Sequence, residues 1–202
     1  MINEILDRHR VCHVGLVEEG LPVVIPTMYV RAGAELLLHG SHISRLIRQG
    51  SSGRALCLSV MSVSSLVLAR SAFEHSLNYE SVVVFGRGRL LGEEEKLEAL
   101  ENFTEAIVPG RWSELRPPTK AELRSTSVVA VTIDEVSAKI RNGPPGDGQS
   151  ADARDHVWAG ELTFRVGLGE LVPAPECANG LPPTESILSM ANALREGRAP
   201  RY

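Results

Sequence analysis

Val11 to Val17, Val23 to Val30 and Glu35 to His39 are strand-like segments joined by turns too short to hold a helix. Glu18-Glu19-Gly20 separates the first two, and Gly33 breaks the second from the third. A parallel pair needs a crossover of about a dozen residues or more, whereas a hairpin closes over about two to five. Successive antiparallel pairing is therefore the arrangement open to this region. The same texture returns downstream. Arg54 to Val60 alternates as a half-buried strand, Ser64 to Ala69 continues or neighbours it, and Ser81 to Leu90 is rich in valine. Gly86 and Gly88 within that run mark a bulge or a close approach of backbones. Ser127 to Ile133 and Val136 to Ile140 form a further strand or bent pair, and Val157 to Val166 adds a last strand.

Helical patterns are fewer. Ile2 to Arg10 and Ile43 to Gln49 read as short helices. Glu93 to Ile107 is the longest: its three leading glutamates suit the positive end of the helix dipole, and Leu97, Leu100, Phe103, Ala106 and Ile107 line one face. Thr119 and Glu122 make a capping box for a brief helix through Arg124. Ser71 to Tyr79 is a polar excursion, and Gly143 to Ala151 a flexible surface loop. No linker or internal repeat divides the chain, so residues 1–202 are expected to be one domain with a proline-rich C-terminal extension from about residue 171. A closing helix is expected over Glu185 to Arg195. Short strands with few helices predict a mainly β fold, a small closed or nearly closed barrel that hides its strand edges.

Hydrophobic residues make up 43% of the chain but aromatics only 4%, so aliphatic side chains must fill the core. A formal net charge of −4 leaves no basic footprint for nucleic acid. The first ten residues hold no apolar signal core, and the longest apolar runs fall far short of a membrane span. A cytoplasmic protein without membrane or nucleic-acid partners is expected. Cys12, Cys57 and Cys177 are odd in number and lack CxxC spacing, which argues against a disulfide framework or a zinc site. The histidines share no metal-ligand spacing, so no metal is expected.

Common catalytic signatures are absent. There is no GxGxxG turn between strand and helix, no Walker loop, no HExxH and no GxSxG elbow. No residue is assigned as a catalytic nucleophile, acid or base. The segment LLLHGSHISRLIR, Leu36 to Arg48, carries the most chemistry. A strand ends at His39-Gly40, a hydroxyl-rich turn follows, and a helix opens with Arg45 in its first turn. Free N–H groups, the hydroxyls of Ser41 and Ser44, and the Arg45 guanidinium together make a seat for a phosphate, although serine and arginine near a helix start also occur on plain surfaces. His39 either borders a pocket or caps the strand. His75 lies in SAFEHSLNY, where Phe73, Asn78 and Tyr79 form a substrate wall or a packed loop. Lys139 and Arg141 share one face of a strand and serve an anionic cofactor or solvent. Trp158, before Ala159-Gly160, stacks on a cofactor or packs an interface, and Trp112 packs a helix–loop junction.

Several segments read together bring in a resemblance. RVCHVGLVEEGLPVVIPTMYV, LLLHGSHISRL, LVLARSAFEHSLNYESVVVFGRGRL, VPGRWSELRPPTKAELRST, EVSAKIRNGPPGD and VWAG closely resemble a flavin-nucleotide-binding family. That family belongs to the pyridoxamine 5'-phosphate oxidase-like superfamily and is related to the nitroimidazole-resistance proteins. The resemblance spans roughly Arg10 to Gly180. It implies a split β-barrel with a few peripheral helices, a two-fold homodimer, and FMN bound in the cleft between subunits. It implies that Pro26, Thr27 and Met28 present backbone groups along the isoalloxazine, that His39 and Gly40 border it, and that Ser44 and Arg45 hold the phosphate. Lys139 and Arg141 of the AKIR motif and Trp158 of WAG are implied to complete the cleft, including from the opposite protomer. The implied activity is an FMN-dependent oxidoreductase with NAD(P)H as donor and a small nitroaromatic, quinone or similar acceptor. The alternative is a flavin or haem carrier or sensor without turnover. Glu74 and Glu80 depart from the family's usual residues, which bears on substrate more than on flavin. The arginine-rich C-terminal motif of the vitamin B6 oxidases proper is missing, so that oxidation is not expected.

Overall fold

Two long strands that change partners midway set the architecture. In the computed structural model, which describes residues 1–154, 156–165, 167–177 and 180–196, β2 (Leu21–Ala32) pairs with β1 (Val11–Glu18) as far as Met28. From Tyr29 it pairs with β3 (Glu35–Ser41) instead. β5 (Ser76–Leu90) likewise runs beside β4 (Ala55–Leu68) up to Arg87, then joins β6 (Thr126–Thr132) from Gly88 to Leu90. β7 (Glu135–Arg141) adds to β5, and β8 (Gly160–Thr163) adds to β4. All pairings are antiparallel, in the order β7-β5-β6-β3-β2-β1-β4-β8 with a further β4–β5 contact. Among the described residues five α-helices accompany them: α1 (Ile2–Arg8), α2 (Arg45–Gly50), α3 (Glu93–Ile107), α4 (Lys120–Ser125) and α5 (Glu185–Arg195).

The expected mainly β split barrel is therefore corrected. The fold is mixed α/β, built on an irregular eight-stranded sheet that keeps β7 and β8 as open edges rather than closing into an edge-free barrel. The physical reason is the partner switching: where β2 and β5 bend from one neighbour to the next, neither sustains the single continuous register that a barrel requires. Two runs read separately, Arg54 to Val60 and Ser64 to Ala69, are one strand, carried through by a bulge between Val63 and Ser65. The last strand is shorter than Val157 to Val166; it spans Gly160–Thr163, and Val166 lies outside the described residues.

Two cores lie on opposite sides of the sheet. The larger, on the inner face, unites Val14, Leu16, Leu36, Leu38, Leu58, Val60, Val82, Val84, Val129 and Val131 with Ile5 and Leu6 of α1. Tyr29 is fully buried there and donates its hydroxyl to Leu6 O at 2.7 Å. Burial pushes the Cys12 thiol up to about 12, so it behaves as a small hydrophobe. The second core sits under α3, where Ala99 and Phe103 pack on Val30, Leu37, Val128 and Ala130. The sequence pattern placed Leu97 and Ile107 on that buried face, but each is 42% exposed, because the helix is rotated to bring Ala99 down.

The loop from Gly143 to Ala151 is pinned, which its glycine and proline content concealed. Asp147 is 1% exposed and accepts from Arg70 N at 2.5 Å and Arg70 Nη1 at 3.0 Å. The buried Arg70 Nε itself makes no hydrogen bond, so Asp147 is the one carboxylate that compensates this guanidinium among the described residues. Asp147→Ala leaves that guanidinium uncompensated and is expected to cost about 3 kcal/mol in urea unfolding.

Among the described residues nothing covers the outer side of the sheet away from α3. There the register lines up Val24, Gly15, Cys57 and Phe85 across four strands. The next row reads Pro26, His13, Ser59 and Val83. Met61, Ser81 and Lys139 follow on β4, β5 and β7, with Val11 and Met28 at the same level on β1 and β2. Val24, Met61 and Phe85 are exposed on this face, although each is a residue that strands ordinarily bury.

Candidate functional site: an anion seat, an aromatic cleft and an open sheet face

The candidate anion seat forms where β3 runs out. Ser44 is the N-cap of α2, its Oγ accepting from Ile47 N at 3.3 Å. Gly40 lies tight against it, since a Cβ there would be 3.3 Å from both Ser44 Oγ and Ile47 Cγ1. Ser41 and Arg45 are exposed. Arg45 is engaged within the chain: its Nε lies 2.7 Å from Glu18 Oε2. Glu18 also accepts from Gln49 Nε2 at 3.1 Å and faces Arg48 at 3.7 Å. The seat thus brings its cations together around a carboxylate that occupies the place of an anion.

Beside the seat opens a cleft of about 510 Å³. Met28 and His39 come from the sheet, Leu100 and Phe103 from α3, and Trp112 and Arg116 from the following loop. His39 stands edge-on to Phe103, with ring centroids 4.6 Å apart and planes at 78°. Burial lowers its pKa from the ordinary 6.5. Below pH 6.5 the unfolded chain takes up this proton first, so the stability is full above 6.5 and declines as pH falls. His39→Gln is expected to flatten that part of the pH–stability curve measured by urea unfolding.

The loop wall is held on every side. Glu105 accepts from Gly110 N at 2.5 Å and from Trp112 N at 2.7 Å. Glu114 accepts from Ser186 Oγ at 2.6 Å and Ser186 N at 3.1 Å, tying the loop to α5. The Ser186 hydroxyl and then Thr184 hold the Glu114 carboxyl down to about 2. At the rim, Arg116 pairs with Glu122 at 2.6 Å, and that guanidinium, helped by Thr119, holds Glu122 down to about 2.

Of the residues singled out from sequence, Met28, His39, Gly40, Ser41, Ser44 and Arg45 gather around the seat and cleft. Pro26 and Met28 share the uncovered sheet face, while Thr27 alternates with them and pairs with Cys12 of the core. Lys139 shares that face and lies 5.6 Å over the Tyr79 ring, but at its far margin on β7. Arg141 turns to a separate buried polar cluster, donating to Asn78 Oδ1 at 2.5 Å. Asn78 in turn donates to Ser65 Oγ at 2.9 Å and Glu161 Oε2 at 2.6 Å. Trp158 is 67% exposed against Gly160, near β8. One chain therefore does not bring Lys139, Arg141 and Trp158 to the seat. The cleft residues of α3 and its loop were missed. Leu100 and Phe103 read as plain core, and Trp112 as junction packing; the PGRW and LRPPT segments were the available signal.

The family model described as pyridoxamine 5'-phosphate oxidase matches residues 1–140. The FAD and Heme binding protein from Mycobacterium smegmatis is 34% identical, over 93% of this chain and 92% of its own, with a TM-score of 0.89. The flavocytochrome Anf3 from Azotobacter vinelandii is 36% identical, over 93% of this chain and 87% of its own, with a TM-score of 0.86. A putative 5-nitroimidazole antibiotic resistance protein from Bacteroides thetaiotaomicron is 21% identical over 68% and 80%, with a TM-score of 0.58, a likeness of fold alone. No curated protein matches the chain. A family match over most of the sequence and identities above 30% along nearly all of it show that the chain belongs to the pyridoxamine 5'-phosphate oxidase family, with a fold related to that of the nitroimidazole-resistance proteins.

Proposed function

We propose that this is a cytoplasmic, flavin-dependent redox protein that works as a two-fold dimer and holds its cofactor between the subunits. The observation that carries the reading is the uncovered sheet face bearing Pro26, Met28 and Lys139, which runs up to the α2 seat and the His39 cleft. A flat ring system laid on that face stays wet on its outer side in one chain, and a second copy of the face covers it. The two relatives above 30% identity are named for flavin together with haem or cytochrome, which supports the cofactor class.

The seat fits a phosphate such as that of FMN. The Ser44 oxygen accepts from Ile47 N while its own hydrogen remains available to donate, and Ser41 adds a second hydroxyl. Arg45 is the charged partner, on condition that the phosphate displaces Glu18. A bound flavin supplies hydride and single-electron transfer, so no side chain is needed as a nucleophile. The chain's own residues orient and insulate: the β2 backbone from Pro26 to Met28 lies along the ring, Arg45 neutralises the phosphate, and His39, kept neutral by burial, adds no positive charge. In this reading NAD(P)H is the donor, and a small nitroaromatic, quinone or similar molecule is the acceptor.

Flavin titration tests the seat with paired variants of opposite sign. Arg45→Ala is expected to weaken binding about ten- to a hundredfold, the loss of one charge-assisted contact. Glu18→Gln is expected to tighten it by releasing Arg45. Affinities unchanged in both variants remove Arg45 from the phosphate. Anaerobic bleaching of the bound flavin by NADH or NADPH tests the donor.

A flavin and haem carrier is the second reading, favoured by His75. Its Nδ1 donates to Ser71 O at 2.9 Å, which leaves Nε2 as the lone-pair nitrogen of an exposed ring beside Phe73, itself 92% exposed. A backbone carbonyl fixing the far nitrogen is how iron-binding imidazoles are oriented. A Soret band in the purified protein, lost in His75→Ala, supports this reading, and its absence after haem loading removes it.

A further inference from the structure

The uncovered sheet face carries one imidazole, and its own chain gives it nothing to bond. His13 is exposed on β1, and no hydrogen bond or ion pair ties its ring to any described residue. The register seats it between Pro26 of β2 and Ser59 of β4, with Val83 and Ser137 next in the same row. Along β1 its neighbours on this face are Val11 and Gly15. Charged groups stand well away from it. From β2 the face presents Val24, Pro26 and Met28, none of which ionises. From β4 it presents Cys57, and a thiol stays neutral on acidification. Arg87 lies on β5 level with Ala55, and Arg141 on β7 is held by Asn78. The carboxylate of this face is Glu135, level with Phe85, and the lysine is Lys139, level with Ser81. Both sit on β7, three strands from β1 in the order β1–β4–β5–β7, or about 14 Å at the usual strand spacing and beyond the reach of a screened charge. Glu18, at the end of β1, is turned to Arg45 of α2.

A second copy of this face that covers the flavin covers His13 as well, with the same apolar and hydroxyl surface. A neutral imidazole accepts that cover, whereas an imidazolium loses its water and gains no carboxylate. A two-fold contact buries the ring twice. We propose that His13 makes the two-chain flavin site acid-labile: the dimer closes over the neutral ring, and on protonation of the ring it opens and releases the cofactor. The proposal rests on the two-chain flavin reading above and adds its regulation. Two separated chains take up two protons that the dimer excludes, so the dissociation constant rises as pH falls, by up to about tenfold per ring for each pH unit below the histidine range.

Sedimentation equilibrium of the full chain loaded with FMN, at about pH 8 and about pH 5.5, reads the mass, and flavin absorbance in the same cell reads the cofactor. Wild type is expected to be dimeric at the higher pH. At the lower pH its dissociation constant is expected to rise about ten- to a hundredfold, with FMN leaving the separated chains. His13→Gln keeps a neutral polar side chain and is expected to change by less than about threefold between the two conditions. His13→Lys is charged in both and is expected to be monomeric in both. Acid sensitivity that comes from His39, or from the exposed His42 and His75, is common to wild type and His13→Gln, so the difference between them reports His13. An equal response of those two proteins overturns the proposal and leaves the two-chain reading standing. So does a His13→Lys dimer as tight as wild type at the higher pH, or a wild-type dimer that tightens on acidification because the ring meets the partner's Glu135. Wild type that is monomeric at the higher pH while holding FMN overturns both.

Discussion

Gly86→Ala is expected to destabilise the protein by more than about 4 kcal/mol, enough to remove a large part of the stability of a domain this size. A Cβ built on Gly86 lies 1.7 Å from Thr132 O and 2.9 Å from Thr132 C. Those are backbone atoms, and they cannot step aside. Thr132 is paired with Glu35 in the β3–β6 ladder, and its Oγ1 accepts from Arg87 N at 3.2 Å. Asp134 N donates to Phe85 O at 3.0 Å immediately beyond. The methyl would therefore pry β5 from β6 at the point where β5 changes partners, and with it the junction between the two halves of the sheet. Gly148→Ala is the control, because nothing lies within 4 Å of its Cβ position; it is expected to stay within about 0.5 kcal/mol. Urea unfolding of both variants measures the difference.

On the proposed two-chain reading, Phe85→Lys is expected to break the dimer and empty the flavin site together. Phe85 is 47% exposed and lies in the row with Cys57, Gly15 and Val24 on the face that none of the described elements covers. On a free surface a lysine there is nearly neutral, since its stem covers the same strands and its head reaches water. On a two-fold interface each dimer buries the new charge twice. At about 2 kcal/mol or more for each poorly paired charge, dimerisation weakens by roughly a thousandfold. Sedimentation of wild type and variant at equal concentration distinguishes the cases, with unfolding as the check that the monomer remains folded.

The parts of the fold written in local patterns were legible. Hairpin spacing gave β1 to β3, the glutamate cluster and 3.6-residue periodicity gave α3, and the Thr119–Glu122 box gave α4, because each is set by residues close in sequence. The closing helix over Glu185–Arg195 fell where its pattern placed it. Closure was not legible. Whether a strand keeps one neighbour or trades it for another depends on contacts remote in sequence, such as Gly86 against Thr132, and the alternation of valines is the same either way. The burial of Asp147 was hidden for a similar reason: a glycine- and proline-rich run looks like surface until Arg70, far off in sequence, supplies the counter-charge.

At the site, the layout proposed to seat a phosphate was legible because strand end, hydroxyls and helix start are contiguous from His39 to Arg45. Glu18 could not be foreseen as the partner of Arg45, since the hairpin of β1 and β2 brings it there. The cleft required the α3 register, which the sequence pattern rotated toward Leu97 and Ile107 and away from Ala99. Lys139 and Trp158, prominent in the sequence, belong to the margins of this chain's sheet and reach the seat only if another subunit brings them.

Two chains together are proposed to form the flavin site. Light scattering on flavin-loaded protein, with the cofactor quantified on the same fraction, tests it directly. The mass of two chains carrying one flavin each is expected, and a single chain that retains its flavin rules the shared site out.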